Sequence, residues 1–214
     1  MFHRMLGLKW LHLAPFSLLC LAGLLGAGCL ARDTGTEPAG ADSSAERIGF
    51  HSRIESSPEH EKWVLVDLGH TQIVDEVTLV PVPVHQRRFP GTSGIPRRFI
   101  VELSNEPHFR QAELIAELTA GDFLIPDTEP FRIIVNRQPA RFVRITAKKL
   151  DGSGNEYFFA LSEMRVISRG RNIAERAEVL ASDSLETEQW STDFLVDGRP
   201  RATSRADERE VSRR

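Results

Sequence analysis

From Trp63 onward, apolar and polar residues alternate with a period of two in short runs, the pattern of strands that bury one face. In "RRFIVELS" (97–104), Phe99, Val101 and Leu103 point one way while Arg98, Glu102 and Ser104 point the other. Val143 and Ile145 alternate in the same way with Arg144 and Thr146 in "RFVRITAKKL" (141–150). "DEVTLVPV" (75–82), "FRIIVNR" (131–137) and "FALSEMRVI" (159–167) read as further strands. "WVLVDLG" (63–69) differs in being apolar on both faces, with Trp63 and Leu65 on one and Val64, Val66 and Leu68 on the other. Such a strand belongs in the middle of a sheet. "FRQAELIAELTA" (109–120) has helical propensity, but it reads here as a turn followed by a strand through Leu114, Ala116 and Leu118. Breakers close the runs at Pro81 and Pro83, "FPGTSGIP" (89–96), "IPDTEP" (125–130) and "DGSGN" (151–155). Many short strands without alternating helices predict an all-β fold, an antiparallel sandwich or barrel.

The ends break this pattern. Arg4 and Lys9 precede an apolar run from Leu11 to Leu30, the layout of a secretory signal. Three readings of residues 1–29 stay open: a bacterial lipobox in "LLGAGC" with Cys29 lipidated, cleavage at a small-residue site between Ala27 and Ala31, or a retained anchor. All three predict an exported chain, either a cell-envelope lipoprotein attached to the membrane through its N-terminus or a secreted protein. "RDTGTEPAGADSSAE" (32–46) has the composition of a flexible linker, so residues 30–46 are a tether and the globular part starts near Arg47. Cys20 and Cys29, the only cysteines, lie in the leader, so the exported part holds no internal disulfide and rests on packing. The composition, 41% hydrophobic and 27% charged, suits a soluble globular fold. Its formal charge of -3 becomes about -5 once Arg4 and Lys9 are set aside, and no nucleic-acid partner is expected.

"KWVLVDLG", "FIVELSNEPHF", "ARFVRITAKKL" and "FALSEMRVI", in that order over residues 47–169, resemble the discoidin or coagulation factor 5/8 type C domain. The resemblance implies a galactose-binding-like jelly-roll sandwich. In that fold Asp67 caps the turn before Gly69, Phe109 folds back over the core, and Arg141 and Arg144 pair with acids. No cofactor is expected apart from the structural calcium of some family members, for which Glu163 and Asp67 are the acids on offer. The family's opening segment is missing between Arg47 and Trp63. "NIAERAEVLASDSLETEQWSTDFLVDG" (172–198) instead places Asn172, Ala174, Ser182, Trp190, Asp197 and Gly198 as that segment does. The resemblance thus implies a second copy beginning at 170. Because "RPRATSRADEREVSRR" (199–214) has no apolar alternation, residues 170–214 are expected to be an incomplete start of a second domain, at most partly ordered, with a charged tail.

No enzyme constellation emerges. The histidines after the leader are dispersed, and there is no nucleophile elbow, phosphate loop or exported Cys-His pair. The expectation is a non-catalytic module whose binding lies on loops at one end of the sandwich. "HQRRFPGTSGIP" offers His85, Gln86, Arg87, Arg88 and Phe89, and "DGSGNEYFF" offers Asn155 and Tyr157. In the resembling family such loops stack aromatics on sugar faces and bind hydroxyls, so the expected partner is a glycan or polysaccharide. The alternatives are a truncated N-terminal piece of a larger exported enzyme or sensor, and a protein-protein adhesion module.

Overall fold

The computed structural model describes residues 46–89, 91–124 and 129–199. The signal and linker expectations up to residue 45, lipidation of Cys29 and the tail from residue 200 lie outside the described residues.

The fold is an all-β sandwich of antiparallel strands, as the alternation predicted. After β1 (Phe50–His51), β2 (Lys62–Val80) runs 19 residues and ends where Pro81 stops donation to the ladder. Then come β3 (Arg98–Ser104), β4 (Ala112–Leu118) and β5 (Phe131–Lys149). A hairpin of β6 (Asp151–Ser153) and β7 (Glu156–Phe158) leads to β8 (Ala160–Leu161) and β9 (Glu163–Ser168). The chain closes with β10 (Arg171–Asn172) and β11 (Glu178–Ala181).

β2 and β5 pair along their length and pass through both layers, with register shifts between Asp67 and Gln72 and between Val74 and Glu76. There Gly69 adopts φ +80°, and Asp67 Oδ1 accepts the Gly69 N–H at 2.8 Å, the turn cap expected from the sequence. The first half of β2 is flanked by β11 on one side and on the other by β5, β3 and β4 in turn. The second half lies between β9 and the start of β5. Side chains from both halves, among them Val64, Val66, Leu79, Val101, Ile133 and Met164, share one core. A smaller cluster of Leu65, Phe109, Phe142 and Trp63 covers the outer face of the first layer. Arg144 lies 3.9 Å over the Phe109 ring and bonds Glu102 at 2.8 Å, and Arg141 grips Asp67 through two bonds of 2.8 and 2.7 Å. These arginines have the structural role expected of them.

The C-terminal segment corrects the sequence reading. Residues 171–198 do not begin a second domain; they complete the sandwich of residues 47–169. β10 pairs with β9, and β11 pairs with β2 from Glu178↔Asp67 to Ala181↔Val64. The 3-10 turn Thr192–Val196, capped by the Ser191 hydroxyl, puts Leu195 and Val196 into the main core at 0% and 1% exposure. Ala174 is equally buried. Polar contacts add to the docking. The buried Lys62 ammonium is held between Glu55 and Asp183, and the Arg53 N–H donates to Asp183 Oδ1 at 2.8 Å. Burial pulls the Lys62 pKa down, but the two carboxylates more than offset this and leave it raised. β2 reads as a strand from the middle of a sheet, where the backbone is paired along both edges; β5 supplies one partner and "EVLA" the other.

Candidate functional site

Four segments surround a cleft of about 200 Å³. The first leads from β2 to β3 and contains the 3-10 turn Val84–Gln86. The second is the β6–β7 hairpin with the residues after it, the third is residues 185–190, and the fourth is residues 48–54 around β1.

Asp151 fixes the first two together. Its carboxylate is buried at 1% exposure and accepts the N–H groups of Ser93 (2.7 Å), Gly94 (3.0 Å) and Gly152 (3.0 Å). It also accepts Arg97 Nε at 2.7 Å. The sequence showed this residue only as part of a turn. Further out, Arg88 crosses to Glu156 through two bonds of 2.8 and 2.9 Å, which holds the Glu156 carboxyl below its ordinary range. Gly152 has φ +150°, and a Cβ there would stand 2.1 Å from the Glu156 carbonyl, so only glycine fits the hairpin.

The third segment is fastened by backbone bonds. The Ile48 N–H donates to the Gln189 carbonyl at 2.7 Å, Ser191 to Gly49 at 2.9 Å and Leu185 to His51 at 2.8 Å. This brings the half-buried Trp190 to the cleft wall, with its ring 4.9 Å from His51 and 69° to it. On its other side His51 stacks on Phe158 at 4.5 Å and 19°. His51 Nδ1 lies 2.5 Å from the Ser52 carbonyl. A carbonyl only accepts, so Nδ1 carries the proton and Nε2 of the neutral ring is an acceptor. Burial lowers the His51 pKa from 6.5, with the Ser52 bond opposing it and the Arg88 charge adding to it.

The residues expected from the sequence separate into two groups. Arg87 and Arg88 line the cleft, with Arg87 Nε bonding the Val82 carbonyl at 2.8 Å. Phe89 adjoins it, its ring 6.5 Å from that of Phe158. His85 is exposed on the 3-10 turn and does not line the cleft. Asn155 stands at the exposed hairpin tip. Tyr157 faces the other way, packing against the main core while its backbone pairs with Glu55. Gln86, offered by the same loop as Arg87, lines the cleft as well; sequence reasoning missed His51 and Trp190, the latter because its segment was assigned to another domain.

Asp67 and Glu163 are not brought together. Asp67 is taken by Arg141, which lowers its carboxyl pKa, and Glu163 bonds Arg165 at 2.7 Å. Glu163 pairs with Val80 at the end of β2, whereas Asp67 lies in the first half of that strand. Among the described residues no group of three or more His, Cys, Asp or Glu is placed to hold a metal ion, and no helix is long and apolar enough to cross a membrane.

No protein-family model and no curated protein matches the chain. Solved structures do. Chitosan-binding module 1 of a chitosanase/glucanase from Paenibacillus sp. IK-5 is 19% identical with a TM-score of 0.37, over 54% of this chain and 74% of that one. The third CBM32 module of a family 31 glycoside hydrolase from Clostridium perfringens is 17% identical with a TM-score of 0.42, over 56% and 74%. The lectin domain of lectinolysin, solved with Lewis B antigen, is 22% identical with a TM-score of 0.37, over 52% and 67%. Over about half its length the chain is similar to carbohydrate-binding and lectin modules.

Proposed function

We propose that this protein is a non-catalytic saccharide-binding module that holds one sugar unit in the cleft between Trp190 and the Arg87–Arg88 turn. The observation that carries the reading is the aromatic wall itself. Trp190, His51 and Phe158 present apolar ring surface beside guanidinium and amide groups, in a concavity of about 200 Å³. A pyranose needs both at once, apolar surface for its C–H face and polar groups for its hydroxyls. The rigid loops favour binding, because Asp151 and the Arg88–Glu156 pair have already ordered them. An exported chain with a tethering linker suits a module that attaches its host to a glycan outside the cell.

The test is glycan-array screening followed by calorimetry. Trp190→Ala should weaken binding by about 2 kcal/mol or more, as loss of a central aromatic anchor does. A substitution at the exposed Leu114 on β4, remote from the cleft, should leave it unchanged. Absence of binding across neutral, acidic and amino glycans would sink the proposal.

A further inference from the structure

We infer that the sandwich carries a second binding site, at the β9–β10 turn, for the carboxylate or sulfate group of an acidic saccharide. It stands apart from the cleft reading, because none of its residues lines that cleft. β9, about 20 Å long, separates the two. Ala160 lines the cleft just ahead of the strand, and Ser168 at its end lines the second concavity.

This concavity, of about 390 Å³, lies between the β9–β10 turn and Gln72 and Ile73 of β2. Arg169 and Arg171 supply its charge, and none of the described residues lining it is Asp or Glu. Both arginines are exposed, and neither guanidinium has a hydrogen bond or ion pair among the described residues. Asp75, the acid that reaches this turn, is engaged elsewhere. Its Oδ2 accepts the Arg169 backbone N–H at 2.5 Å, and its Oδ1 lies 3.9 Å from Arg137. Three arginines and one carboxylate leave a local positive excess on a chain whose formal charge is -3.

The backbone supports the site independently. Arg169 and Gly170, at φ +50° and +77°, form the two-residue turn between Ser168 and Arg171. A turn with both central residues in that region favours Asn, Asp or Gly at the first. Arg137 takes φ +52° as well. Of the four described non-glycine residues with positive φ, two are thus arginines joined through Asp75. A side chain kept where the backbone disfavours it points to a use for that side chain.

The lining selects the ligand. A guanidinium matches the paired oxygens of a carboxylate or sulfate. Asn172 Oδ1 accepts the Val166 and Ala174 N–H groups at 3.2 Å each, which fixes its amide and leaves the NH2 as a donor beside the Gln72 amide. Ile73 and Ile173 add apolar surface for the C–H face of a ring. An anionic membrane is the poorer fit, because its recognition takes clusters of about four to eight Lys or Arg and it repels a chain of negative net charge.

Tetragalacturonate, a chondroitin sulfate tetrasaccharide, a neutral galactose tetramer and phosphatidylglycerol vesicles are titrated by calorimetry into wild type, Arg169→Asn, Arg171→Ser and Trp190→Ala. At least one acidic oligosaccharide should bind wild type, and raising salt from about 0.05 M to about 0.3 M should weaken it. Arg169→Asn should lower that affinity about tenfold, the worth of a hydrogen bond to a charged group, while the unfolding temperature stays level or rises because Asn suits the turn. Arg171→Ser, which leaves both turn residues in place, should weaken binding as much. No binding by either acidic oligosaccharide, equal binding of the neutral tetramer, tighter binding to the vesicles, or wild-type affinity in either arginine variant overturns the inference. Loss of acidic binding in Trp190→Ala but not in the arginine variants would put the acid in the cleft, overturning this site while the cleft reading stands.

Discussion

Leu195→Ala asks whether residues 171–198 belong to the sandwich. Leu195 is fully buried and shares the main core with Val64, Val66 and Met164, which the body of the chain supplies. Truncation removes three buried carbons and leaves a hole among β-strand side chains that are already paired and have little room to collapse. The lost transfer energy of the side chain and the cavity term together come to about 3 kcal/mol. Against a total stability of about 5–15 kcal/mol this is a large fraction. For a domain of about 150 residues it lowers Tm by about 6–12 °C. The assay is urea unfolding followed by tryptophan fluorescence and far-UV circular dichroism. One transition should move to lower urea by both probes, with the slope unchanged. Residues 47–198 should also resist proteolysis as one body. An unaltered transition in Leu195→Ala, or clipping at 170–198 that leaves the rest folded, would refute the idea that this segment closes the core.

Two further effects follow from the geometry of the cleft. Asp151→Ala leaves three backbone N–H groups and Arg97 without their buried acceptor. It should cost about 3 kcal/mol in urea unfolding and weaken saccharide binding with it. Retained binding in a destabilised variant would show that the two loops hold their shape without the clamp. His51, with its folded-state pKa below 6.5, makes stability depend on pH in a definite direction. Between the folded and unfolded values the unfolded chain binds the extra proton. Stability is therefore full above the unfolded value, falls as pH drops through the window by up to about 1.4 kcal/mol per unit, and levels off below the folded value. The arginine-paired Asp67 and Glu76, whose pKa values are also lowered, act only below their ordinary values of 3.8 and 4.5. Comparing wild type with His51→Gln between about pH 7 and pH 5 isolates the histidine. Parallel stability curves for the two would refute the assignment.

Most of the sandwich was legible in the sequence because each strand carries its own evidence. In β3, Phe99, Val101 and Leu103 are buried while the residues between them are half-buried, and that alternation needs no knowledge of neighbours. The turn cap at Asp67 and the hairpin after residue 150 are equally local in their cues. The cleft was only half legible because its parts meet through space. Arg87, Arg88 and Phe89 lie in a loop with visible chemistry, but His51 belongs to a two-residue strand, too short for any periodicity to mark it. Asp151 sits in a sequence that spells a turn, and only its burial turns it into a clamp.

Trp190 was misplaced for a more instructive reason. The resemblance was followed in chain order, so a segment that opens such a domain elsewhere was taken to open one here. A sheet has no such preference, since an edge is closed by any strand of the right register, whichever end of the chain it comes from. The clue was present in "WVLVDLG". A strand apolar on both faces was assigned to the middle of a sheet, which requires two neighbours for Val64–Asp67. β5 accounts for one neighbour, and the alternating "EVLA" of Glu178–Ala181, whose Val179 and Ala181 pack on the core, is the other. Counting the partners that β2 needs, rather than the order in which the segments occur, places residues 171–198 in the same sandwich and brings Trp190 to the cleft.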